Sequence, residues 1–343
     1  MNNRTNNGLL WAAIGLGAVA AVSLLMNRKE KYSFRGKVVL ITGGSRGLGL
    51  VMARLLAKGG AKLAICARDI DELERARLEL ADYGGEVLAI PCDVTYHSQV
   101  SQMVNDIRNH YGHLDVLINN AGVIQVGPME AMTLQEYEEA MKTHFWAPLY
   151  TMLSVIPHMR EKGEGRIVNI SSVGGKVSLP HLVPYSASKF ALVGLSEGMH
   201  AELKKDGIVV TTVCPGLTRT GSPRNVIVKG QHEKEYAWFD VVDSLPTNSM
   251  SAENTAAQIL QACKRGDAEL ITTLSGKFIS AFHGLFPGST ADLFALINRI
   301  LPEAGETGST GRKKGFESQS SAAPSILTVL SDKAAEKNNE MGS

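Results

Sequence analysis

Tyr185 and Lys189 stand four residues apart in a segment of helical pattern, so the two side chains share one helix face. A free tyrosine titrates near about 10, too high for an efficient proton shuttle at neutral pH. A neighbouring ammonium favours the phenolate and lowers that value. Such a pair can move a proton to or from the oxygen of a carbonyl or an alcohol. Ser171 and Ser172 lie upstream at the end of an apolar run, and a hydroxyl there can donate to the same oxygen in the oxyanion role. Metal chemistry is not expected. Cys66, Cys92, Cys214 and Cys263 form no CxxC pair, their spacing assembles no zinc site, and they read as buried reduced thiols.

A second group of residues is built for phosphate. The run VVLIT at 38–42 leads straight into Gly43-Gly44-Ser45-Arg46-Gly47-Leu48-Gly49, and a helical pattern follows. Gly43 permits a tight turn, Gly47 lets the backbone approach a pyrophosphate, and Gly49 lets helix and strand pack closely. The helix amino terminus adds N–H groups and a favourable dipole. Dinucleotide folds place an acid on the ribose roughly 20 residues later. Here that place holds Ala67 and Arg68. Arg46 sits within the turn itself, and a guanidinium fork suits phosphate. The two arginines favour a 2′-phosphate, hence NADP(H) over NAD(H). Asp69 reaches the ribose only if the chain shifts by a residue. Asp93 and Val94 suit the adenine edge.

With these motifs in this order, the chain resembles the short-chain dehydrogenase/reductase family over about residues 36–275. Thr42-Gly43-x-x-x-Gly47-x-Gly49 is similar to its cofactor turn. Asn119-Asn120-Ala121-Gly122 is similar to its fourth-strand motif, which steadies the sheet and borders the adenosine. Ser172 followed by Tyr185-x-x-x-Lys189 is similar to its catalytic set, and that spacing selects Ser172 over Ser171. Pro215-Gly216 followed by Thr220 is similar to its nicotinamide-side motif. The resemblance implies an NAD(P)-dependent enzyme acting on a CH–OH/C=O pair. Hydride passes between nicotinamide and substrate carbon, Tyr185 moves the proton, and Lys189 also reaches the ribose. It implies too a homo-oligomer, a dimer or tetramer built on long helices at 133–162 and 185–205. One position departs. Many members carry an asparagine in the helix after the fourth strand, where it holds a relay water, and this chain has His144. A neutral imidazole can accept from one neighbour and donate to another. Titrating near about 6.5, it would set an acid limb in the reduction rate. The plainer alternative is a helix residue making local hydrogen bonds.

The elements that must carry these residues are legible as periodicity. Apolar runs at 38–42, 62–66, 86–90, 115–119, 166–170, 208–213 and 269–273 are short, β-branched and continuous. They suit parallel strands buried on both faces. Helix-length segments at 47–59, 69–83, 96–111, 133–162, 185–205 and 251–265 alternate with them. The expected fold is α/β: one doubly wound, Rossmann-type parallel sheet over 37–302 with right-handed crossovers. Residues 216–250 read as a long substrate loop with Tyr236, Trp238 and Phe239 as an apolar lid. Residues 277–301 read as a core-packing helix pair broken at Pro287-Gly288, with a membrane-facing patch as the second reading. Residues 303–343, rich in Gly, Ser, Glu and Lys, read as a disordered tail.

The ends and the composition set the context. Of 343 residues, 44% are hydrophobic and 20% charged, which excludes a disordered or collagen-like chain. Lys+Arg 35 against Asp+Glu 34 leaves net +1, and no nucleic-acid partner is indicated. After residues 1–7, residues 8–26 carry no charge and as a helix would span about 28 Å, close to a bilayer core. Only Arg4 is charged ahead of them, while Arg28, Lys29, Lys31, Arg35 and Lys37 follow in and beside a basic linker at 27–36. A secretory signal has its charge on the other side. The segment therefore reads as an uncleaved, single-pass transmembrane helix with the following domain in the cytoplasm. The combined expectation is a membrane-anchored, NADP(H)-dependent oxidoreductase for a small, apolar substrate of lipid, steroid or retinoid kind. A nucleotide-sensing binding protein on the same fold is the competing reading, and it leaves the intact Ser172, Tyr185 and Lys189 without a purpose.

Overall fold

All seven apolar runs become strands of one sheet, and the inner five are buried because flanking helices cover them on both faces. The structure is a computed structural model that describes residues 32–244, 249–305, 311–320, 323 and 328–341. The predicted membrane helix at 8–26 lies outside the described residues. Among the described residues no helix is long and apolar enough to cross a membrane.

The fold belongs to the unit Phe34–Ser343. It opens with β1 (Val38–Thr42), α1 (Gly47–Lys58), β2 (Lys62–Ala67), α2 (Ile70–Ala81), β3 (Val87–Pro91), α3 (His97–Tyr111) and β4 (Val116–Asn119). A short β5 (Gln125–Val126) precedes α4 (Leu134–Met141) and α5 (Ala147–Lys162). Then come β6 (Gly165–Ile170), α6 (Val183–Leu203) and β7 (Ile208–Cys214). Next are β8 (Leu217–Arg219), β9 (Ile227–Val228), α7 (His232–Ser244), β10 (Ser249–Ser251), α8 (Ala252–Arg265) and β11 (Glu269–Ile271). The described chain closes with α9 (Leu274–Leu285), α10 (Pro287–Asn298), β12 (Lys313–Lys314) and α11 (Val329–Lys337).

The main sheet has the order β11-β7-β6-β4-β1-β2-β3. Every neighbouring pair in it is parallel. This is the expected Rossmann-type sheet, and the sequence runs match its strands to within a residue or two. Strand order reverses beside β1, between β2 and β4. In a doubly wound sheet the ligand crevice opens at that point, beyond the carboxyl ends of the strands. The core below it is dry: β1 is fully buried from Val38 to Ile41, and Leu63, Ile65, Leu117, Ile118, Ile167 and Val210 are inaccessible.

Local chemistry fixes the helix ends. Asp69 caps α2 by accepting from the Glu72 N–H at 2.9 Å. Thr133 and Glu136 form a capping box on α4. Gly163 and Gly266 end α5 and α8 in the left-handed region.

Four expectations are corrected. The single helix expected over 133–162 is α4 and α5 joined through a π turn, Lys142–Trp146. Pro148 has no N–H to give to the His144 carbonyl four residues back. The substrate loop is largely structured, and α7 runs through it. Tyr236 and Phe239 are no lid, because they lie buried in a second core cluster with Val126, Leu182, Val226 and Val228. The pair α9–α10 does not pack into the core. Leu274, Phe278, Leu285, Phe286, Leu296 and Ile300 stay more than half exposed, because no other described element covers that side. Finally, where a structureless tail is expected, β12 pairs antiparallel with β9, and α11 is followed by buried residues Asn338 and Glu340.

Candidate active site

The glycine turn is held open from below. The Thr42 hydroxyl accepts from the N–H groups of Asn120 (3.0 Å) and Ala121 (3.1 Å). The Asn120 amide donates back to the carbonyls of Thr42 (3.1 Å) and Gly43 (3.0 Å). These bonds lock the end of β1 to the end of β4. A side chain at Gly49 would stand 2.1 Å from the Gly43 carbonyl oxygen, so only glycine lets α1 start so close to β1. Ser45 is buried, Arg46 and Leu48 are half-buried, and Arg68 is exposed just past the end of β2. Arg46 pairs with Glu72 at 3.0 Å. Asp69, capping α2, is not free to take a ribose. Asp93 turns the chain after β3 by accepting from the Thr95 N–H (3.0 Å) and hydroxyl (2.7 Å). Val94 sends its side chain into the core.

Beneath the turn a buried polar chain crosses the sheet. Thr151 on α5 donates to Asn119 Oδ1 at 2.7 Å. Asn119 donates to Asn169 Oδ1 at 2.8 Å, and Asn169 donates to Ser196 Oγ on α6 at 3.0 Å. Thr212 on β7 donates to the same Ser196 oxygen at 2.8 Å. Of these, only Asn119 is singled out by the sequence motifs. The signal for Asn169 was an amide in the middle of the apolar run RIVNI.

Ser172, Tyr185 and Lys189 come together where β6 feeds α6. Ser172 accepts from the Gly174 N–H at 3.0 Å, and a side-chain carbon at Gly174 would stand 3.4 Å from Ser172 Oγ and 3.2 Å from the Tyr185 ring, so the two side chains flank one spot. Ser171 is excluded from that role, because its hydroxyl donates to the Lys189 carbonyl at 3.0 Å. Lys189 lies on the same helix face as Tyr185, with Nζ 5.6 Å from the phenol ring and donating to the Ile170 carbonyl at 2.9 Å. Burial pushes the phenol up to about 12, with the nearby Ser172 hydroxyl opposing it. Burial also pushes the Lys189 ammonium down to about 7. The expected lowering of Tyr185 by the lysine charge is thus corrected. In the bare protein desolvation dominates both groups and favours their neutral forms. The nicotinamide-side motif lies opposite: the Pro215 carbonyl accepts from Val173 N–H, Gly216 N–H donates to Thr272, and Thr220 is buried.

His144 sits in the π turn with its ring edge-on to Tyr185, centroids 5.5 Å apart. Its Nε2 accepts from the Val123 N–H at 3.1 Å. Its Nδ1 meets the Ser188 hydroxyl at 2.7 Å, and that hydroxyl donates to the Tyr185 carbonyl at 2.7 Å. The network therefore places the proton on Nδ1 and leaves neither nitrogen for a water. Burial, then the Lys189 charge, holds His144 well below its ordinary value. The acid limb expected from its titration finds no support in this geometry, since Nε2 is already occupied by the Val123 N–H and Nδ1 by Ser188.

A cavity of about 450 Å³ opens beside the loop 177–183 that leads into α6. Met129, Leu179, Pro180, His181, Val183 and Phe294 of α10 are among its lining residues. Tyr185 itself is not among its walls, although Val183 stands two residues ahead of it on α6. Among the described residues no group of His, Cys, Asp or Glu could hold a metal ion.

The short chain dehydrogenase family profile matches residues 37–229. The dehydrogenase/reductase SDR family member 7B of Danio rerio is 33% identical over 257 residues, covering 73% of this chain and 82% of that protein. The D-beta-hydroxybutyrate dehydrogenase of Rhizobium meliloti (strain 1021) is 31% identical, covering 65% of this chain and 94% of that protein. Among solved structures, L-sorbose reductase from Gluconobacter frateurii, complexed with NADPH and L-sorbose, superposes with a TM-score of 0.63 at 25% identity. That match covers 71% of this chain and 97% of the other. Sheet order, glycine turn and profile agree, and the chain belongs to the short chain dehydrogenase family, as an NAD(P)-dependent dehydrogenase/reductase.

Proposed function

We propose that the protein is an NADP(H)-preferring oxidoreductase of a carbonyl/alcohol pair on an apolar small molecule, held at a membrane by residues 8–26 with its catalytic domain facing the cytoplasm. The observation that carries the reading is the convergence of Ser172, Tyr185 and Lys189 at the carboxyl end of the sheet, beside the glycine turn. The turn fits a dinucleotide: its glycines admit no side chain at Gly49, and Arg46 and Arg68 offer guanidinium groups at its ribose side. The Lys314 ammonium is held below its ordinary value by partial burial and then by the charges of Arg46, Arg68 and Arg312, so four cations share this corner, where a 2′-phosphate would be stabilised. Ser45, Gly47, Asp93, Asn120, Ala121, Gly122, Gly216 and Thr220 would line the rest. The family also argues for a homo-oligomer.

When bound, the nicotinamide supplies or takes the hydride. Ser172 donates to the substrate oxygen and holds it against Tyr185. The Tyr185 hydroxyl delivers the proton to that oxygen in reduction and removes it in oxidation. Lys189 positions the ribose and, once protonated in the polar environment of a bound cofactor, eases loss of the Tyr185 proton. The apolar wall of Leu179, Val183 and Phe294 supports an apolar substrate. The test is turnover of the full chain with NADPH and NADH against ketones graded in apolar size. NADPH should be preferred, Arg68→Ala should erase most of that preference, and Tyr185→Phe should abolish turnover while leaving cofactor affinity nearly intact. Equal kcat/KM with both cofactors, or retained rate in the Tyr185→Phe variant, overturns the reading.

A further inference from the structure

The last described residues of the chain lie in the phosphate cradle. α11 rests Ala335 against Gly221, in the nicotinamide-side segment. The backbone then turns through Asn339 at φ +58, and Asn338, Asn339 and Glu340 meet the glycine turn one after another. The Gly47 N–H, first of the unpaired donors at the start of α1, donates to the Asn338 carbonyl at 2.9 Å. The Asn338 amide donates to the Thr220 carbonyl at 3.3 Å. The Asn339 amide donates to the Ser45 carbonyl at 2.9 Å and to the Glu72 carbonyl at 3.1 Å. Glu340 carries its carboxyl over Gly47, where a side-chain carbon would stand 2.5 Å from Oε1. Its Oε2 lies 3.5 Å from Arg46 Nε and accepts from the Asn225 amide at 2.6 Å. Arg54 and Arg75 fasten the two asparagines from α1 and α2. Asn338 and Glu340 are 1% and 4% exposed, so this is a seated segment and not a tail brushing the surface.

These partners are the groups that the dinucleotide reading assigns to the cofactor: Ser45, Arg46, Gly47 and Thr220. The Glu340 carboxyl stands at the amino terminus of α1 beside the Arg46 guanidinium, the place where a phosphate would be stabilised. Two occupants cannot share the Gly47 N–H and the space above it. We propose that residues 338–340 are a built-in competitor for the dinucleotide: docked, they fill its diphosphate subsite, and a bound dinucleotide displaces them. The proposal rests on the dinucleotide reading of the glycine turn. It makes the enzyme self-restrained, with apparent cofactor affinity set by the fraction of molecules whose tail is out. A tail docked nine-tenths of the time weakens apparent binding about tenfold.

The experiment compares NADPH and NADH binding to the full chain, to a Glu340→Ala variant, and to a chain ended after Lys337, with hydrogen exchange followed across 329–341. The shortened chain and Glu340→Ala should bind NADPH tighter, the former by about tenfold. In the full chain, saturating NADPH should speed exchange in 329–341 while slowing it around the glycine turn. Exchange in the unaltered chain keeps the test valid even where a variant folds poorly. Equal affinity in all three chains, or tail exchange that NADPH slows or leaves unchanged, overturns the proposal and leaves the dinucleotide reading standing. If no chain binds either dinucleotide, the reading of the turn fails and the proposal fails with it.

Discussion

Both ring nitrogens of His144 have a fixed partner, the Val123 N–H on one side and the Ser188 hydroxyl on the other. A histidine so committed positions; it does not shuttle. Its value lies well below the ordinary range, so it stays neutral across the working pH. We expect His144→Asn to lower kcat, since a shorter amide cannot reach both partners. It should also lower stability by about 1–3 kcal/mol through the group left unpaired. The shape of the pH–rate profile should not change. An acid limb that flattens in the variant would restore the titrating role. The pairing of Tyr185 with Lys189 was legible because four residues is a local, helical distance. The state of His144 was not, because its partners are 21 and 44 residues away in the chain.

At the scale of elements, Asn169 is the hinge pin of the sheet under the cofactor crevice. It accepts from Asn119 on β4 and donates to Ser196 on α6, and both Asn169 and Ser196 are fully buried. Asn169→Ala would leave the Asn119 amide without its acceptor and take one of two donors from Ser196. The expected cost is about 2–5 kcal/mol, from unmet hydrogen bonds and a small cavity, read as a lower denaturation midpoint at unchanged m-value. A loss under about 0.5 kcal/mol would mean that the chain of amides is ornamental. Strand positions were readable from β-branched runs, since burial on both faces imposes that composition. The π turn at Lys142–Trp146 and the helix through 232–244 were not. Each depends on which surface the segment meets.

For the whole molecule, the docked segment 338–340 makes the proposed cofactor access depend on pH. Glu340 is raised from 4.5 to about 7 by burial, with Arg46 opposing and Glu72 adding. Arg46 and Glu72 are the charged groups that face it, while Arg54 and Arg75 hold the flanking asparagines. Its value is higher docked than free. The docked state therefore binds the extra proton, and docking strengthens as pH falls from 7 towards 4.5 and weakens as pH rises through 7. The ratio of NADPH Kd between the full chain and the chain ended after Lys337 should grow below pH 7, by at most about tenfold per pH unit. A ratio flat from pH 8 to 5.5 would remove Glu340 from the linkage. The proposed anchor sets a second expectation. In sealed vesicles, protease on the non-cytoplasmic side should leave the catalytic domain whole, and a mature protein starting after Met26 would refute the anchor.

Residue order alone determined the parallel sheet, the glycine turn and the Ser172, Tyr185, Lys189 set. Each is written in short-range spacing: two-sided apolar runs, glycines where no Cβ fits, and side chains one helical turn apart. Tertiary structure alone decided what those residues meet. It turned Tyr236 and Phe239 inward, because β5, β9 and Leu182 offered them a core. It left α9 and α10 with an exposed apolar side. It brought Glu340 to Gly47 across nearly the whole length of the fold. No composition rule marks Asn338, Asn339 and Glu340 as ordered. They are held because three arginines, Arg46, Arg54 and Arg75, and the open start of α1 leave donors that a polar segment can satisfy.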